Sequence, residues 1–328
     1  MTNYIIRRIL LAIPTLIAIS IISFVIIQLP PGDYLEQRIA QLQQQYGDAS
    51  SVNQAEALRH RYGLDLPVGE RYLKWAGGFV RGDFGESFRY QREVKDLIGE
   101  RLLFTVVLAL GSMLLTYALA IPIGIYSATH KYMWSDNVLT MLAFLGMSLP
   151  GFLVALVMIV LVYQLTGQPL FGLFSPFYET AGWSWGKVGD LCRHIWLPLI
   201  VIAINGTAGL LRIMRGNLLD VLGEPFVRTA RAKGLSENVV VIKHAARIAI
   251  NPLISMIGMS FPDMLSGTTI ISIVLNLPTV GPLLFTALQD QDMYLAGTLI
   301  VFMSALLIAG NLLADIALAW VDPRIRYE

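Results

Sequence analysis

The stretch "ILLAIPTLIAISIISFVIIQL", Ile9–Leu29, decides the class of this protein. A helix that crosses the hydrocarbon core of a bilayer needs about 20 mostly apolar residues. This run supplies them without a single charge. It is longer than the apolar core of a signal peptide and lacks a small-x-small cleavage site, so it predicts a retained first span. The whole chain agrees. Of 328 residues, 55% are hydrophobic and only 14% charged, with a mean hydropathy of +0.61. Soluble domains carry about a quarter charged residues. The sequence therefore predicts an all-α integral membrane protein.

Five further apolar runs follow: Leu102–Tyr126, Val138–Leu165, Ile195–Ile213, Ile248–Leu275 and Tyr294–Trp320. That makes six spans, the fifth interrupted by Pro252, Pro262 and Asp263. Lys and Arg near span ends set orientation. Arg7 and Arg8 precede the first span, Arg324 and Arg326 follow the last, and Lys131 joins them on that side. So does the loop 214–247, with Arg215, Arg228, Arg231, Lys233, Lys243 and Arg247. Both termini are expected in the cytoplasm. The organisation is then a terminus and first helix (1–29), a small helical insertion on the outer face (30–101), and a five-helix core (102–328).

Several chemistries fall away. A net charge of +1 gives no reason to expect nucleic acid. The one cysteine, Cys192, can build neither a disulfide framework nor a Cys-based metal site, and reads as a small buried hydrophobe. "GWSWGKVG" at 182–189 is one residue short of a phosphate loop and has Val188 where Ser or Thr should follow the Lys. "DFG" at 83–85 stands without any other kinase motif. The four histidines make no i, i+4 pair, and no nucleophile–base arrangement exists. The chain is not expected to be an enzyme or to hold a metal or cofactor.

The loop 214–247 is the odd part of this apolar chain. In "EPFVRTARAKGLSE", 224–237, Pro225 suits the first turn of a helix, with Glu224 as its cap or just before it. Gly234 suits the left-handed position that stops it, and Ser236 caps a second helix running toward Pro252. A helix over Pro225–Lys233 places Phe226 and Ala230 on one face and Arg228 and Arg231 on a basic edge, with Glu224 in reach of Arg228. Ala230, Ala232 and Gly234 are small enough for another surface to approach the backbone. Such a short helix is not stable alone in water, so something must hold it. Lipid headgroups and a protein partner fit this pattern equally well.

The same run resembles the cytoplasmic "EAA" loop of binding-protein-dependent ABC importer permeases, in the dipeptide/oligopeptide/nickel branch. "PGD" at 31–33, "LRHRYGLDLPVGERYLKWAGGFVRGDFGESF" at 58–88, "SLPGF" at 148–152 and "VDPRIRY" at 321–327 match the family in the same order. The resemblance implies a type I importer permease in a bacterial inner membrane. Glu224, Phe226, Arg228, Thr229, Ala230, Arg231, Ala232, Lys233 and Gly234 would form the helix that couples to an ATPase. Ala230 and Gly234 hold the motif's second Ala and its Gly, while Arg228 replaces its Glu and Thr229 its first Ala. The implied partners are a second homologous permease, two cytoplasmic ATPases that bind ATP and Mg, an outer substrate-binding protein and membrane lipid. The implied cargo is di- or oligopeptides, with oligosaccharides and nickel chelates as alternatives. Within the membrane, Pro262 and Asp263 are candidates for the path or its gate, since a carboxylate there faces a cavity or a partner. An ion-coupled transporter working through Asp263, or a static scaffold, would leave the coupling loop unexplained.

Overall fold

The computed structural model describes residues 2–29, 65–168, 170–257 and 268–321. Among the described residues all regular elements are helical, apart from one isolated bridge between Glu86 and Glu93. Four helices are long and apolar enough to cross a membrane: α1 (Thr2–Gln28), α3 (Val94–Thr129), α7 (Trp185–Leu222) and α13 (Met293–Val321). The expected third span is instead two helices, α4 (Trp134–Ser148) and α5 (Gly151–Thr166), bent by 107° at their junction. Leu149 and Pro150 are both extended there, as a residue before proline prefers, and Pro150 caps α5 without an N–H to give. Of the expected fifth span, the described residues fall at the end of α9 (Glu237–Ala249), in α10 (Asn251–Ile257), bent by 41° from it, and in α11 (Thr269–Val274). Among the described residues there are thus four spans, or up to six when each bent pair counts as one.

The chain divides into two compact units, residues 1–103 with 279–309, and 104–278 with 310–328. In the first, α1 packs with α2 (Val68–Val80) and with α12 (Val280–Gln289) and α13. The described part of the insertion therefore belongs to a helical unit with α1 and residues 279–309. Its core is aromatic: Trp75 stacks near Phe24 and Tyr72 and meets Phe79 edge-on. Trp75 Nε1 donates to Thr298 Oγ1 at 3.3 Å, which satisfies the one polar atom of the buried indole. The fully buried Asp292 caps α13 by accepting from the Leu295 N–H at 3.1 Å and takes the Ser87 hydroxyl at 2.5 Å. Burial pushes its carboxyl above the usual carboxylate range, against the pull of Ser87 and the Leu295 and Arg89 N–H groups.

The second unit holds two cores. One joins α5, α7 and α11 around Val162, Leu197, Val201 and Ile271. The other joins α3, α4, α7 and the segment after it around Ala120, Met214, Leu218, Val240 and Ala245. Cys192, expected to be buried, is exposed on the first turns of α7. At 38 residues α7 is about 57 Å long, far beyond the roughly 30 Å of a hydrocarbon core. Residues 214–222, expected to be loop, are the end of this helix, because Met214 and Leu218 are fully buried in the second core.

Candidate docking site

After α7 the chain turns at Gly223 and enters α8, Pro225–Ala232. Glu224 is the extended N-cap, and Pro225 opens the helix, where its missing N–H costs nothing. Lys233 is the C-cap, and Gly234 follows with φ +78. The Leu235 N–H reaches back to the Ala230 carbonyl at 3.4 Å, and the Gly234 N–H to that of Arg231 at 2.9 Å. These two bonds make a Schellman motif, the reason a left-handed residue is needed at 234. The Arg231 side chain crosses the turn to Glu237, with Nε at 3.0 Å and Nη2 at 2.5 Å from the carboxylate. That contact pushes the guanidinium further above its ordinary range. Being exposed, the pair contributes about 1 kcal/mol at most.

One side of α8 lies against its own chain. Val227 is 0% and Ala230 8% exposed, packed in the core that contains Val240, Val241 and Ala245. Phe226, grouped with Ala230 by sequence, is 39% exposed and sits at the edge of that contact. The helical period puts Val227 beside Ala230, and the opposing valines decide which pair turns inward. Arg228, Thr229, Ala232, Lys233 and Gly234 are all exposed. Of the small residues expected to admit a partner, Ala232 and Gly234 are free and Ala230 is covered. Glu224 and Arg228 form no ion pair in these described residues; Arg231–Glu237 takes that role. The segment beneath, Val240–Ala245, is a π-helix, a wide turn that often marks functional positions inside helices.

Pro262 and Asp263 lie outside the described residues. A different charged group emerges in the second unit. Asp136, in the first turn of α4, is 1% exposed and receives Arg215 of α7 in a two-pronged contact, Nε to Oδ1 at 2.9 Å and Nη2 to Oδ2 at 2.8 Å. The Ser127 hydroxyl, the Tyr132 N–H at 3.0 Å and the Thr140 hydroxyl at 3.5 Å also donate to it. In the sequence Arg215 is one of several orienting charges and Asp136 belongs to no motif. The one local signal was an acid at a helix start beside an apolar run.

Comparison with known proteins bears on what this geometry is for. Residues 120–327 match the family model of the binding-protein-dependent transport system inner membrane component, and residues 1–109 match the N-terminal model of the same membrane component. The oligopeptide transport system permease protein AppB of Bacillus subtilis is 37% identical, with each chain covered in full. A putative peptide permease of Brucella ovis is 35% identical over 99% of both chains. The glutathione transport system permease protein GsiC of Escherichia coli K12 is 31% identical over the full length of both. With the family model covering well over half the chain and these relatives its whole length, the protein belongs to the inner membrane components of binding-protein-dependent transport systems, the permeases of ABC importers.

Proposed function

We propose that this chain forms half of the translocation path of an ATP-driven importer of di- and oligopeptides, and that α8 is where a separate ATPase docks. The observation that carries the docking role is a short helix fixed to its own chain by Val227 and Ala230, stopped by Gly234, and bare on its opposite side. Its free face offers Arg228, Thr229 and Ala232, flanked by Phe226 and Lys233. A helix held in this way can transmit a push without deforming. The second half of the path would come from a homologous permease, and two ATPases, binding ATP and Mg, would each grip one such helix. ATP favours the closed ATPase pair, and that preference reorients the bundle between inward and outward access. A binding protein would bring cargo to the outer face. Charge bias at the span ends supports cytoplasmic termini in a bacterial inner membrane.

The peptide assignment rests on relatives named for oligopeptides and for glutathione, itself a small peptide. A binding assay on the cognate binding protein separates peptides from oligosaccharides and nickel chelates. The docking role is tested by Ala232→Arg, which places a bulky cation on the free face without touching the core. Copurification of the ATPase should fall about tenfold or more, as losing a kcal/mol or two at an interface requires. Normal copurification and uptake would rule out this face. Uptake that survives loss of the ATPase but collapses with the proton gradient would point to ion coupling instead.

A further inference from the structure

α4 lies along α7, so close at Gly146 that a Cβ there would sit 3.3 Å from Ala208. Of its 15 residues only Asp136 and Ala143 are buried. An apolar cavity of about 220 Å³ opens beside that contact, bordered by Leu119, Leu142, Gly146, Ile204 and Leu211. At its far end α4 breaks from α5 by 107°. A polar hold ties the first turn of α4 to α7, where Asp136 grips Arg215. Arg215 in turn lies on the part of α7 that runs, about 10 Å further on, into Gly223 and α8. Met214 and Leu218 on either side of it are fully buried in the same core as Val227 and Ala230 of α8. Asn217 of this same stretch donates to the Ala249 carbonyl at 3.3 Å, tying α7 to the end of α9.

We propose that Asp136 and Arg215 are positioning residues for transport: their buried, two-pronged pair carries displacement of the α8 docking segment into α4, which swings at Leu149–Pro150. The inference rests on the docking role argued above. A buried ion pair is a poor source of net stability, because desolvation consumes most of its attraction, but it fixes orientation well. Orientation is what transmission between two packed helices requires. The planar guanidinium fork matters as well as the charge, since two parallel bonds resist rotation where one ammonium contact would not.

The test uses the complete transporter in proteoliposomes, with uptake and ATP hydrolysis read together. Wild type is read first: if no ATPase assembles with it, the docking reading fails, whatever the variants do. Arg215→Lys keeps the charge and loses the fork. It should assemble to within about twofold of wild type with unchanged basal ATP hydrolysis, while uptake per ATP falls about fivefold or more. The paired variant Asp136→Asn with Arg215→Met removes both charges and should show the same uncoupling. Wild-type uptake per ATP in either assembled variant would overturn the proposal. Failure of both to assemble would also overturn it, by assigning the pair to the fold alone.

Discussion

Gly85 and Gly234 share a left-handed backbone, φ +78 in each, yet a methyl group would meet different surroundings at the two positions. At Gly234 it would enter open space. Only the backbone objects there, and Gly234→Ala should cost about 1–2 kcal/mol. At Gly85 the same methyl would lie 2.5 Å from the Tyr294 ring, on α13. Overpacking adds about 1–3 kcal/mol, so Gly85→Ala should cost about 3 kcal/mol or more in total. Denaturant unfolding of the two purified variants in one detergent makes the comparison. Equal losses would mean that the ring yields freely and that the Gly85 contact has no part in holding the insertion to the last helix. The same contact sits one strand-like turn from Ser87, whose hydroxyl caps the fully buried Asp292. Both glycines thus serve junctions, one between the insertion and α13, the other between α8 and the helix that follows it.

At the scale of the element, α8 owes its two faces to different causes, and two substitutions separate them. Val227→Ala removes a fully buried side chain from the contact with the following π-helix and should cost about 1–3 kcal/mol. Because a helix of 8 residues has little stability of its own, the loss should appear locally. Amide exchange over 226–232 should quicken by about tenfold or more, roughly one kcal/mol of local opening. Phe226→Ala takes away an exposed ring, should leave that exchange unchanged, and should weaken ATPase attachment instead. Identical exchange in both variants would contradict the assigned faces. Much of α8 was legible in the sequence, because its start and stop are local chemistry: Pro225 at the first turn and Gly234 just beyond the last. The inward face was not legible, because Val240, Val241 and Ala245 select it from the other side of a turn. The apolar run Val138–Leu165 reads as one span in sequence, and the break at Leu149–Pro150 turns it by 107° in the fold. The Asp136–Arg215 pair spans 79 positions, and nothing local announces which of several cations a lone carboxylate will meet.

Across the whole molecule, the first unit is assembled from distant parts of the chain. Gln28 at the end of α1 donates to the Met293 sulfur at 3.2 Å, a contact 265 positions long. Leu283, Leu295 and Leu299 from the chain's last part are buried with Phe24 and Trp75 from its first. Contacts of this range close only after most of the chain is in place, which makes them late and slow to form. The described insertion, with α2 and the turn at 85–93, therefore depends on α12 and α13 for its core. A chain ended after Pro278 removes those helices, and with them Thr298, the partner of the Trp75 indole. Trypsin should then cut among Lys74, Arg81, Arg89 and Arg92 about tenfold faster or more, the change expected when local opening eases by over one kcal/mol. Supplying residues 279–328 as a separate coexpressed segment should restore protection, since the helices need to pack with the insertion and not to be joined to the second unit. Equal cleavage in the intact and shortened chains would show instead that the insertion holds itself together, and that its packing against α12 and α13 is incidental to its fold.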